Sequence, residues 1–137
     1  MKRVNLHIPI YEWDLSVVSI ENKKDDKPFR NVADEFALTD EEYNMVMDEI
    51  EHESHDGGET FYDGSQMTIL TVLYPMSNEE EFAAIFNHEK RHVVDIIAEL
   101  MGLECKESTA YLDEYITREL YKLRNEFVNI MPANKKQ

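Results

Sequence analysis

Cysteine is almost missing from this chain of 137 residues: Cys105 stands alone, which excludes an internal disulfide and a cysteine-rich zinc ribbon. A single thiol fits a reducing compartment better than an oxidising one. Glycine is nearly as scarce, with four residues, so no glycine-rich phosphate loop can be drawn, and no G-x-S-x-G elbow is present. No apolar run approaches the roughly 18 residues that a membrane span needs. The opening Met1 to Ile8 carries two cations, but Asn5, His7 and then Glu12 interrupt any apolar stretch, so it reads as a first strand and not as a signal peptide. Basic residues are too few to neutralise a phosphate backbone: 14 stand against 29 acids, a net charge of −15, which argues against nucleic-acid binding. These absences leave an acidic, cytoplasmic chain with no expected membrane partner.

What is present suits a globular fold: 42% of residues are apolar and 31% charged, in a length that fits one domain over 1–137. Val4 to Ile20 is rich in Val, Ile, Leu, Tyr and Trp and breaks at Pro9, which predicts a short strand and a second extended piece from Trp13 to Ile20. Glu21 to Pro28 is a charged, proline-ended loop. Thr39-Asp40-Glu41-Glu42 is a capping box for a helix carrying Tyr43, Val46, Met47 and Ile50 at helical spacing, stopped by Gly57-Gly58. Glu59 to Tyr62, Asp63-Gly64 and Gln66 to Tyr74 predict a hairpin. Ser77-Asn78-Glu79-Glu80 opens a helix to about Met101 with Gly102 just past its end, and a last helix spans Lys106 to Ile130. The class is therefore α+β: a small antiparallel sheet, from the N-terminal strands and the hairpin, packed on two long antiparallel helices.

The helix from Ser77 to about Met101 carries the chemistry. His88-Glu89-Lys90-Arg91-His92 reads H-E-x-x-H, and on a helix the i, i+4 histidines project from one side, spaced to hold a single Zn²⁺. Stepping by three and four along Phe82, Ile85, Phe86, Val93, Ile96, Ile97 and Leu100 passes through Glu89 and His92, with His88 at the edge. A glutamate inside an apolar stripe is costly without compensation, and a cation with its water would compensate it. Glu89 is then the candidate catalytic base, and His88 and His92 are candidate metal ligands. Lys90 and Arg91 occupy the middle of the motif, with their stems expected along the helix and their charges in water.

A strand of edge type, a turn, an H-E-x-x-H helix and a second helix with an acid together resemble the minimal core of zincin metallopeptidases. Asn87-His88-Glu89-x-x-His92, Met101-Gly102-Leu103 and Glu107-Ser108-Thr109-Ala110-Tyr111-Leu112 are similar to segments of small phage- and prophage-encoded H-E-x-x-H proteins. The resemblance covers about Met67 to Leu120. It implies a gluzincin-like zinc site in which Glu107 is the third ligand. The residues by themselves leave this open: a simple antiparallel hairpin about Leu103 puts residues near 114 and 119 level with His92 and His88, so Glu114 and Glu119 compete. Tyr111 or Tyr115 could donate to an oxyanion or be core aromatics.

Other polar groups point less sharply. His52-Glu53-Ser54-His55-Asp56 offers imidazoles among carboxylates at a helix end, where histidines also suit the dipole. His7 alternates with Leu6 and Ile8 on one face of a strand. No cationic run activates Cys105. The expected function is a zinc-dependent hydrolase, metallopeptidase-like and of phage type, with a peptide or protein substrate presented along the edge of the Met67–Tyr74 strand. The alternative is a non-catalytic acidic phage protein, with a structural metal or none, that binds or inhibits a host factor.

Overall fold

The computed structural model describes residues 1–52, 57–76 and 78–122. Two strands open the chain, β1 (Lys2–Ile8) and β2 (Trp13–Ser19), paired antiparallel with Lys2 opposite Ser19 and Ile8 opposite Trp13. Helices α1 (Asp26–Glu35) and α2 (Asp40–Glu51) follow, then β3 (Gly58–Asp63) and β4 (Thr68–Leu73), and finally α3 (Glu79–Leu100) and α4 (Lys106–Tyr121). The class is α+β, as the patterning predicts. The sheet runs β1-β2-β4-β3 and is mixed: β2 and β4 lie parallel, Asp14 opposite Thr68, while the two hairpins are antiparallel.

Both faces of the sheet are covered. Trp13, Leu15, Val17, Ile69 and Leu73 pack with Phe82, Val93, Val94 and Ile97 of α3 and Leu112, Ile116 and Leu120 of α4. On the other face Val18, Ile20, Phe61, Leu70 and Val72 meet Phe29, Val32 and Ala33 of α1 and Tyr43, Val46 and Ile50 of α2. Strand β4 therefore buries both faces and pairs along both edges, which corrects its expected role as an edge strand. Its unbroken TILTVL run is the composition of a strand with no wet face. Among the described residues, the outer edge of the sheet on this side is β3.

Helix α1 falls partly on Glu21–Pro28, read above as loop. Pro28 is its third residue, where the backbone N–H has no intrahelical partner to lose, and Phe29, Val32 and Ala33 form the buried i, i+3, i+4 face. The capping box at Thr39 is present in full, with Glu42 N–H donating to Thr39 Oγ1 at 3.1 Å and Thr39 N–H to Glu42 Oε1 at 2.9 Å. Helix α3 is capped by Asn78, one residue later than expected, through Glu81 N–H to Asn78 Oδ1 at 2.8 Å. Ser77 lies outside the described residues, as do Glu53–Asp56 and residues 123–137, on which the expected continuation of the last helix to Ile130 falls. At the far end of α3, Gly102 takes φ +67 and Leu103 N–H reaches back to the Ala98 carbonyl at 2.8 Å, closing a Schellman turn.

Candidate metal centre

The buried residues of α3 are Phe82, Glu89, Val93, Val94 and Ile97, so Glu89 occupies a core position of the helix and is only 4% exposed. His88 and His92 flank it and are exposed, so His92 lies off the buried stripe on which the spacing placed it. Nothing apolar could neutralise the demand of that buried carboxylate for hydrogen bonds. The sheet answers it: Thr60 Oγ1 of β3 donates to Glu89 Oε1 at 2.7 Å. Thr60 lies opposite Thr71 of β4, and the two hydroxyls are 3.1 Å apart. Because the Thr60 proton is given to Glu89, Thr71 is the donor in that second bond, and the chain of hydroxyls polarises toward the carboxylate.

Close approach of helix and sheet is made by Gly58. A Cβ there would lie 2.5 Å from the Val72 carbonyl oxygen and 3.1 Å from Glu89 Cγ, so no side chain fits. With Oε1 anchored, Glu89 Oε2 is 3.9 Å from His88 Nε2. The His88 and His92 Nε2 atoms are 3.1 Å apart, with the rings edge to face at 81°. A tetrahedral ion with metal–nitrogen bonds of about 2.05 Å separates two imidazole nitrogens by about 3.3 Å, so the pair stands close to ligand spacing. His88, Glu89 and His92 together present three donor atoms within 4.8 Å of one another, a group able to bind a metal ion.

Glu107 is not in that group. It stands exposed in the first turn of α4, while Glu114 pairs with Arg118 and Glu119 with Lys122. The reason is the side of α3 against which α4 packs. Lys90 Nζ binds Asp113 Oδ1 at 3.0 Å, Thr117 Oγ1 at 2.8 Å and Asn87 Oδ1 at 3.2 Å. Residues two positions apart on a helix are separated by about 200° around the axis, so the flank bearing Lys90 is turned away from both His88 and His92. This also corrects the expectation for the centre of the motif. Arg91 is in water, paired with Asp95, but the Lys90 side chain is mostly buried between the helices and holds them together.

The chain matches no family model, no curated protein and no solved structure. Its chemistry is therefore read from the residues alone. Of the other candidates, His52 ends α2 with Nδ1 2.7 Å from the Asp48 carbonyl oxygen, a cap. His7 sits between Asp14 at 2.7 Å and Glu12 at 2.9 Å, and the Asp14 hydrogen bond leads in holding its imidazole above the ordinary histidine range. Tyr111 is exposed, and the Tyr115 hydroxyl donates to the His7 carbonyl at 3.4 Å, so neither joins the centre. Backbone N–H groups of Ser108 and Glu107 pull the Cys105 thiol below its usual range, at the start of α4.

Three residues near the centre were not singled out by sequence: Thr60, Gly58 and Glu59. Burial, with Glu89 and Glu49 nearby, pushes the Glu59 carboxyl above the usual glutamate range against the opposing pull of His92. The available signal was the hairpin register, which sets Thr60 opposite Thr71 and puts one polar pair into an apolar strand.

Proposed function

We propose that the protein is a zinc-dependent hydrolase of the zincin-like, phage-encoded kind, acting on a peptide or protein. The single observation that carries this reading is the buried Glu89 with one oxygen anchored by Thr60 and the other turned to a histidine pair at ligand spacing. His88 and His92 would hold the ion, and their donor set, two neutral imidazoles, suits zinc. When bound, zinc lowers the pKa of a coordinated water to about 7 and polarises a carbonyl. Glu89 Oε2 accepts a proton from water, and the anchored Oε1 keeps the carboxylate from rotating away from that task. The outer edge of β3, beside Thr60, offers an extended peptide its backbone groups.

The test is metal content and peptide hydrolysis in parallel. One zinc per chain is expected, with affinity falling by more than about a hundredfold in His88→Ala or His92→Ala. Glu89→Gln should keep the metal and lose at least about a hundredfold in turnover. No zinc uptake by the wild type sinks the reading. Zinc uptake without hydrolysis of any peptide leaves the non-catalytic, partner-binding role.

A further inference from the structure

A cleft of about 730 Å³ opens on the α1–α2 face of the sheet, the face opposite Glu89. Its volume falls among small-molecule sites, which span about 300–1,000 Å³. The strands build it by a change in their own patterning. On this face β2 presents Asp14 and Ser16 before Val18, and β4 presents Thr68 before Leu70 and Val72. Strand β1 sets Asn5 opposite Ser16 and His7 opposite Asp14. The apolar alternation that seats α1 and α2 thus turns polar at one end of three neighbouring strands. Phe36 and Ala37, just past the end of α1, add apolar surface to one wall.

The floor of the cleft is a fixed network. Ser16 is 4% exposed, and its hydroxyl donates to Asn5 Oδ1 at 2.6 Å and accepts from Arg3 Nη2 at 3.1 Å. Arg3 Nε–H also donates to Asn5 Oδ1, at 2.9 Å. With both lone pairs of that oxygen taken, the Asn5 amide is held with its two N–H donors turned away from the network. On the side of β4, Gln66 and Thr68 bring a second amide and a hydroxyl, neither side chain bonded among the described residues. Every ionisable side chain of the lining is already engaged. Arg3 pairs with Glu35 at 2.6 Å and His7 with Asp14 at 2.7 Å, while Asp63 takes the Ser65 hydroxyl at 2.7 Å and its N–H at 3.0 Å. A charged ligand competes with these bonds for its own partner. A neutral hydroxyl both donates and accepts, so it meets the amides and the second oxygens of Asp14 and Asp63 with the existing bonds intact.

We propose that this cleft binds a neutral saccharide, a ligand with hydroxyls around its ring edge and C–H groups on its faces. The edge meets Asn5, Gln66 and Thr68, and one face covers the apolar wall at Phe36. The site stands apart from the metal centre and does not rest on the hydrolase reading. Its test is an NMR titration of the full chain with galactose, N-acetylglucosamine and maltose, beside glucosamine and glucuronate as charged counterparts. At least one neutral sugar should bind saturably in the millimolar range, moving the side-chain amide signals of Asn5 and Gln66. It should bind about fivefold or more tighter than either charged sugar. Gln66→Ala removes a donor that holds nothing else in place and should weaken binding about five- to tenfold. Asn5→Asp keeps the acceptor for Arg3 and Ser16 but loses both donors, and should weaken it at least as much. A chelator should change nothing. Saturable binding by none of the three neutral sugars, equal or tighter binding of a charged one, affinity unchanged in either variant, or loss of binding with chelator would each overturn the proposal.

Discussion

Two polar groups buried on opposite faces of the sheet, Glu89 and Tyr74, are treated in opposite ways. On the α3 side, Glu89 is 4% exposed and receives a hydrogen bond from Thr60, backed by Thr71. On the α1–α2 side, Tyr74 is 1% exposed and its hydroxyl has no partner among the described residues. Burial, with Glu59, Glu49 and Glu89 around it, pushes that phenol far above its ordinary range, so it stays neutral. A neutral hydroxyl without a partner is a modest cost that a large aromatic core residue outweighs. A carboxylate in the same position is not tolerable without a donor. The lesson is that the sheet spends two threonines and a glycine on one glutamate, an investment that packing alone does not require.

The largest effect expected to test this contrast comes from Gly58→Ala, where the new Cβ strikes the Val72 carbonyl at 2.5 Å and crowds Glu89. A loss of about 1–3 kcal/mol is expected in denaturant unfolding, together with weakened zinc affinity, because strand and helix must part. Unchanged metal affinity in a folded variant would show that Glu89 does not depend on this approach. Next, Thr60→Val keeps the shape but removes the donor, and should cost about 1–3 kcal/mol, whereas Thr60→Ser should retain most of the stability. Equal stability of the two variants would deny the bond its role.

Tyr74→Phe should do the reverse on the other face, leaving stability within about 0.5 kcal/mol or raising it, since no bond is lost. Last and smallest is His7, whose cationic form is favoured by Asp14 and Glu12. A raised folded pKa means stability present in full below about 6.5 and lost as pH rises through the folded value. The melting-temperature difference between wild type and His7→Gln should thus be greatest near pH 5 and vanish in alkali. A difference that grows with pH would reverse the assignment.

How much of this was legible in the sequence depends on range. The metal motif was, because i, i+4 chemistry is contained in five residues. The Thr39 capping box and the Gly102 stop were legible for the same reason. The anchor of Glu89 was not, since Thr60 lies 29 residues away and reaches it only after β3 and β4 have paired. Helix α4 is instructive. A simple hairpin about Leu103 gave nearly the right level, as Lys90 meets Asp113. It could not give the rotation of α3, and with it which flank α4 would cover, so Glu107, Glu114 and Glu119 compete in the sequence for a position that, among the described residues, none of them shares with the histidines. Rotation is fixed by the apolar stripe of Phe82, Val93 and Ile97 against the sheet, a tertiary fact. Helix α1 was hidden by its charges and by Pro28, which only a first-turn placement makes harmless.

The parallel join of β2 to β4 has a consequence for the order of assembly. Every residue of the centre, from Gly58 to His92, lies in one continuous stretch built from a hairpin and the helix that follows it, so its closures are short. Asp14 finds Thr68 only after the chain between them has been gathered in, a later and entropically dearer event. In a refolding experiment, the ability to take up zinc should therefore appear before the amides of β2 become protected from hydrogen exchange. The N-terminal hairpin would then act as a late clasp on a centre already formed.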